Sequence, residues 1–135
     1  MTSQASTRYV PAPLSRVRQV LLDPLALPDW NSAFLTLAGP AHAATGVSYP
    51  ITVRGGFSGS WEYTKITDRR IDADWRFPGF LENGTWRLRP HGDGTVVTHE
   101  FRHQGPMARI LSKAYRGVAE LRLDRLVQRV ARPGR

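Results

Sequence analysis

The sequence predicts an α+β fold in which an antiparallel sheet packs against one long C-terminal helix. Three observations carry this expectation. From Gly46 to Gly105 apolar and polar residues alternate with a two-residue period, the mark of strands with one face in the core and one in water. Turn signals cut that stretch into hairpin-sized pieces, at "RGG" (54–56), "DRR" (68–70), "PGF" (78–80) and "HGDG" (91–94). After Gly105 the period becomes helical and stays so almost to the end.

Taken in order, "ASTRYV" (5–10) reads as a first strand and "APLSRVRQVLLD" (12–23) as a short helix. Leu14, Val17 and Leu21 share one face of that helix, Pro13 suits its first turn, and Pro24 stops it. "DPLALPDW" (23–30) is broken twice by proline. It reads as a second short helical piece, a lid across one end of the space between helix and sheet, with Trp30 at its mouth. "AFLTLAG" (33–39) is the second strand. In "SYPITVR" (48–54) Tyr49, Ile51 and Val53 share a face, and Pro50 argues for an edge or a bulge. Phe57, Gly59, Trp61 and Tyr63 alternate until Ile66 breaks the register. "IDADWRF" (71–77) turns Ile71, Ala73, Trp75 and Phe77 one way. "TWRLR" (85–89) and "VTHEF" (97–101) likewise put Trp86, Leu88, Val97, His99 and Phe101 inward. From Pro106 a stripe of Met107, Ile110, Leu111, Ala114, Val118 and Leu121 continues through Val127 and Val130. One helix running to about Arg132 would be roughly 40 Å long. Gly117 in its middle costs about 1 kcal/mol against alanine, and close packing on another backbone would explain it. The stripe needs an apolar surface to cover it, and the sheet is the only one large enough.

Composition narrows the function. Residues 1–135 suit a single domain, and with 41% hydrophobic and 22% charged residues the chain reads as globular. The absence of cysteine excludes disulfides, thiol catalysis and thiolate metal sites. "MTSQASTRYV" lacks the pattern of a signal peptide, and no apolar run approaches the roughly 20 residues of a bilayer span, so the expected location is the cytoplasm. The net charge is +8, but the arginines are scattered and form no basic run, which speaks against a nucleic-acid partner. A monomer or a homodimer is expected.

Three segments carry a resemblance: "VPAPLSRVRQVLLDPLALPDWN" (10–31), "GTWRLRPHGDGTVVTHEF" (84–101) and "GPMARIL" (105–111). Together with the element order they resemble the START-like, Bet v 1-like superfamily, in its bacterial polyketide cyclase/dehydratase and lipid transport (SRPBCC) group. Arg18 departs from it, since relatives often carry an aromatic residue there. The resemblance implies a helix-grip fold: seven antiparallel strands wrapped around the long C-terminal helix, two short helices near the N-terminus, and an apolar cavity between. It also implies a hydrophobic small-molecule ligand. Some members cyclise or dehydrate polyketide intermediates; others carry lipids or bind hormones. The expected function is therefore cavity binding, with cofactor-independent aldol-type cyclisation or dehydration; the alternative is a non-catalytic carrier of a lipid or aromatic molecule.

Candidate site residues follow from the inward faces. His99 between Val97 and Phe101 can move a proton near neutral pH, and Tyr49 has a proton to donate. Trp30, Trp61, Trp75 and Trp86 offer apolar bodies with an N–H each. Asn31, Phe34, Phe101, Met107, Leu111 and Tyr115 complete the expected ligand-binding set, although Asn31 reads better as a turn cap. No metal is expected. His99 and His103 share a strand face but stand about 13 Å apart along it, too far to hold one ion together. Asp72, Asp74 and Glu100 face outward, towards arginines on the wet side of the sheet.

Overall fold

The computed structural model describes residues 2–132. Seven strands form one open antiparallel sheet: β1 (Thr2–Val10), β2 (Phe34–Leu37), β3 (Tyr49–Val53), β4 (Phe57–Ile66), β5 (Arg70–Phe77), β6 (Phe80–His91) and β7 (Gly94–Gln104). Their order is β1-β7-β6-β5-β4-β3-β2. Strands β2 to β7 run as consecutive hairpins, turning at each of the four predicted signals from β3 onward. Strand β1 folds back to close the far edge against β7, from Thr2 opposite His103 to Val10 opposite Thr95. Four helices, α1 (Leu14–Leu21), α2 (Leu27–Trp30), α3 (Pro106–Leu111) and α4 (Val118–Ala131), complete the fold, with a 3-10 turn at Pro24–Ala26. This is the helix-grip arrangement. Among the described residues, no helix is long and apolar enough to cross a membrane.

The alternation holds on every central strand. Tyr49, Ile51, Val53, Ile71, Trp75, Phe77, Trp86, Leu88 and Val97 are all buried. The break at Ile66 has a structural cause. Tyr63 pairs with Ala73 but Lys65 with Asp72, so a bulge shifts the register and lets Trp61 and Tyr63 stay inward. Pro50 is on neither an edge strand nor a bulge of its own. It sits in an interior strand, one residue past the Leu37–Ile51 pair where the short β2 ladder ends, so its missing N–H costs no strand pairing.

The C-terminal helix is not continuous. Residues 112–117 form turns between α3 and α4, and Gly117 is the N-cap of α4 with φ +76°. A Cβ there would meet nothing within 4 Å, so this glycine serves a left-handed backbone and not close packing. The break resets the helical phase. The buried face of α4 is Ala119, Arg122, Leu123, Leu126 and Val130, while Leu121 is exposed and Ile110 is 71% exposed. The fourteen residues of α4 span about 21 Å, half the expected rod.

Neighbours supply the caps that α4 lacks locally. Gln4 of β1 donates to the Tyr115 carbonyl and accepts from the Ala119 N–H at 3.2 Å. At the other end the Arg16 guanidinium of α1 donates to the carbonyls of Val130 at 3.2 Å and Arg132 at 3.0 Å. These contacts hold the helix over the sheet, where the site lies.

Candidate functional site

Alternation on β6 and β7 brings Glu82, His99 and His103 to the inner face of the sheet, in the middle of an aromatic surface. Helix α4 lowers Arg122 onto them. The guanidinium grips the carboxylate with both terminal nitrogens, at 2.8 Å to Oε2 and 2.9 Å to Oε1. His103 donates its Nε2–H to Oε1 at 2.8 Å. His99 donates Nδ1–H to the Thr85 carbonyl at 3.0 Å, since a carbonyl can only accept. Its Nε2 is left to accept from Arg122 at 3.2 Å. The His99 ring stacks on Trp86 with centroids 3.7 Å apart, and the guanidinium lies 4.6 Å over Phe101.

All four polar residues are at least nine-tenths buried. Burial alone would raise the Glu82 carboxyl, but Arg122 and His103 outweigh it and hold the group well below the usual carboxylate range. Burial, reinforced by the Arg122 charge, pushes His99 down to about 3. At neutral pH the cluster therefore holds an ion pair and a neutral His99.

Two cavities flank this cluster. The outer cleft, about 210 Å³, opens between the ends of β3–β5 and the α3–α4 break. Val53, Phe57, Trp75 and Phe77 form one wall; Leu111, Ala114, Tyr115, Val118 and Leu121 form the other. The inner cavity, about 40 Å³, is bounded by Phe34, Trp61, Trp86, Glu82 and His99. Trp30, Asn31, Trp75 and Arg122 line both and make the partition between them. Trp30 is 5% exposed, and its indole meets that of Trp86 edge-on at 5.8 Å. "DPLALPDW" thus forms part of the cavity wall, with Pro24 and Pro28 allowing the chain to turn across it. The Asn31 side chain accepts from the Ala33 N–H at 3.1 Å, so it caps a turn while facing the cavities.

The structure gathers most of the expected residues. Trp30, Asn31, Trp75, Leu111 and Tyr115 line the outer cleft, and Phe34, Trp61, Trp86 and His99 the inner cavity. Three stand apart. Tyr49 gives its proton to the Pro40 carbonyl at 2.7 Å and lines neither cavity. Phe101 is buried beneath Arg122, between the rings of His99 and His103. Met107 packs at Gly79, to whose carbonyl its N–H donates at 2.9 Å. Glu82 and Arg122 were missed. Extending the alternation through Phe80, Glu82, Gly84 and Trp86 would have placed Glu82 inward. Arg122 was hidden by the false phase of the helix.

The family model described as polyketide cyclase / dehydrase and lipid transport matches residues 1–131. The chain belongs to that family. Solved structures agree with the helix-grip fold. One from Chromobacterium violaceum is 22% identical over 97% of this chain and 98% of its own, with a TM-score of 0.71. A START superfamily protein from Mycobacterium smegmatis is 18% identical over 95% and 96%, with a TM-score of 0.68. DynU16, a protein in the dynemicin biosynthetic locus, is 21% identical over 93% of this chain and 46% of its own, with a TM-score of 0.68. At these identities the likeness is one of fold. No match is found among curated proteins.

Proposed function

We propose that the protein binds a hydrophobic small molecule in the cleft beneath the α3–α4 break. The observation that carries this reading is the cleft itself. Indole, phenyl and aliphatic walls enclose about 210 Å³ and carry a small set of polar groups, Asn31, Ser32 and Tyr115 with the arginines Arg54, Arg122 and Arg125. Apolar walls with a few fixed polar groups are the usual form of a small-molecule site. Family membership supports the same ligand class. The test is a tryptophan-fluorescence titration with aromatic probes, since Trp30 and Trp75 both stand in the wall. Binding should be saturable and strongly quenching. Ala114→Trp, which adds an indole at an exposed wall position, should abolish it while leaving the melting temperature within a few degrees. Undiminished binding by that variant would overturn the assignment of the cleft.

A second reading, catalysis of the cyclase or dehydratase type, is favoured by one group. Burial pushes the Tyr115 hydroxyl up to about 12, so it keeps its proton at the cleft wall and can donate to a ligand oxygen. His99 is held neutral with both ring nitrogens engaged, and to serve as a base it would have to release Arg122. In this reading the cleft folds a flexible substrate into a reactive conformer and Tyr115 moves the proton. Tyr115→Phe should then lower turnover at least tenfold with binding intact; equal turnover would leave the protein as a binder or carrier.

A further inference from the structure

Three buried side-chain N–H groups find no acceptor among the described residues: Trp30 Nε1, Trp75 Nε1 and Arg122 Nε. All three belong to residues that line both cavities. Their side chains are between 2% and 5% exposed, so bulk water does not reach them. Buried donors are almost always paired, and three unpaired ones on a single partition mark a place where acceptors are wanted. We propose that the bound molecule carries a neutral carbonyl whose oxygen passes the partition and accepts hydrogen bonds from Trp30, Trp75 and the Arg122 Nε–H.

The proposal rests on the cleft being the ligand site and adds the chemistry of what enters it. Volume separates the parts of the ligand. The inner cavity, about 40 Å³, has room for about three water-sized atoms, enough for a carbonyl group and too little for a ring, while the outer cleft of about 210 Å³ takes the apolar body. Charge then selects among oxygens. Glu82 already takes both terminal nitrogens of Arg122, so the pair is balanced one to one, and Nε is the guanidinium nitrogen left without a partner among the described residues. At the partition a carboxylate would add a buried charge beside an arginine already neutralised by Glu82, because Arg54 and Arg125 line the outer cleft and not the inner cavity. A hydroxyl must also place its own proton, and the acceptors that line the inner cavity already hold donors: His99 Nε2 and Glu82 accept from Arg122, and Asn31 Oδ1 from the Ala33 N–H. A ketone, aldehyde or quinone oxygen needs donors alone, and three are present.

A matched probe series on the intact chain tests this: 2-acetylnaphthalene, 2-ethylnaphthalene and 2-naphthoate, titrated by tryptophan fluorescence and calorimetry. The ketone should bind at least tenfold tighter than the hydrocarbon, with the carboxylate weakest. In Trp75→Phe and Trp30→Phe the ketone should fall towards the hydrocarbon while the hydrocarbon changes little. The carbonyl stretch of the bound ketone, followed by infrared difference spectroscopy on the unaltered chain, should move to lower frequency than in water-free apolar solvent. Equal binding of ketone and hydrocarbon, tighter binding of the carboxylate, or an unshifted stretch each overturn the carbonyl assignment and leave the apolar cleft standing. If none of the three probes binds, the cleft reading fails and this inference falls with it.

Discussion

At the scale of single residues the decisive feature is a buried ion pair that an apolar core would do without. Arg122 and Glu82 are 4% and 3% exposed, and both have lost their hydration. What makes that tolerable is geometry: two parallel N–H···O bonds, a third donor from His103, and the ring of Phe101 under the guanidinium. Removing one partner leaves the other charged and alone. Glu82→Gln should therefore destabilise the protein by about 3–5 kcal/mol in urea unfolding, far beyond an ordinary lost hydrogen bond. A loss below about 1 kcal/mol would mean that the pair contributes nothing net. The sequence shows residue types but not partners, so His99 was legible as an inward histidine on β7 and its engagement with Arg122 was not. A hydrogen bond between positions 23 apart in the chain depends on the rotation of α4, and that rotation is fixed by packing.

Elements are legible in the sequence where the period is local and obscured where it must be counted across a gap. The strand faces follow from two-residue alternation within each strand, and the central strands bury the faces it indicates. The helix failed because Leu111 and Val118 are seven residues apart, the length of two helical turns whether or not the chain between is helical. Only the left-handed backbone at Gly117 reveals the break, and the sequence admits several reasons for a glycine. That break shapes the cleft, since Leu111, Ala114, Tyr115 and Val118 all line it. Gly117→Ala should cost about 1–2 kcal/mol, because an alanine pays the left-handed strain that glycine avoids. It should also shift the apparent affinity for an aromatic probe, because relief of the strain would draw residues 112–117 towards a continuous helix. An unchanged melting temperature would show that the turn is not held in the left-handed form.

At the scale of the whole molecule, fold class, strand order by hairpins and the covering of the sheet by the terminal helix were all legible, because binary patterning and connection lengths suffice for them. The acid response of the fold was not, because it depends on where two titrating groups end up. His99, driven from its ordinary 6.5 to about 3, stays unprotonated in the folded state while the unfolded chain takes up a proton below pH 6.5. The unfolded state then binds more protons, so stability falls as the pH drops, by at most about 1.4 kcal/mol per pH unit for this one group. Glu82 acts in the same direction lower down. Its folded value lies below its ordinary 4.5, so the stability it contributes is present above that pH and is lost as acid is added. The melting temperature should therefore be highest near pH 7, decline from about pH 6.5, and decline faster below about 4.5. Glutamine at position 99 can donate to Thr85 and accept from Arg122 without titrating. His99→Gln should flatten the decline between pH 6.5 and 4.5 and leave the lower one in place. A native curve that is level between pH 7 and 5 would mean that His99 accepts a proton inside the folded protein, and with it that the Arg122 contact opens.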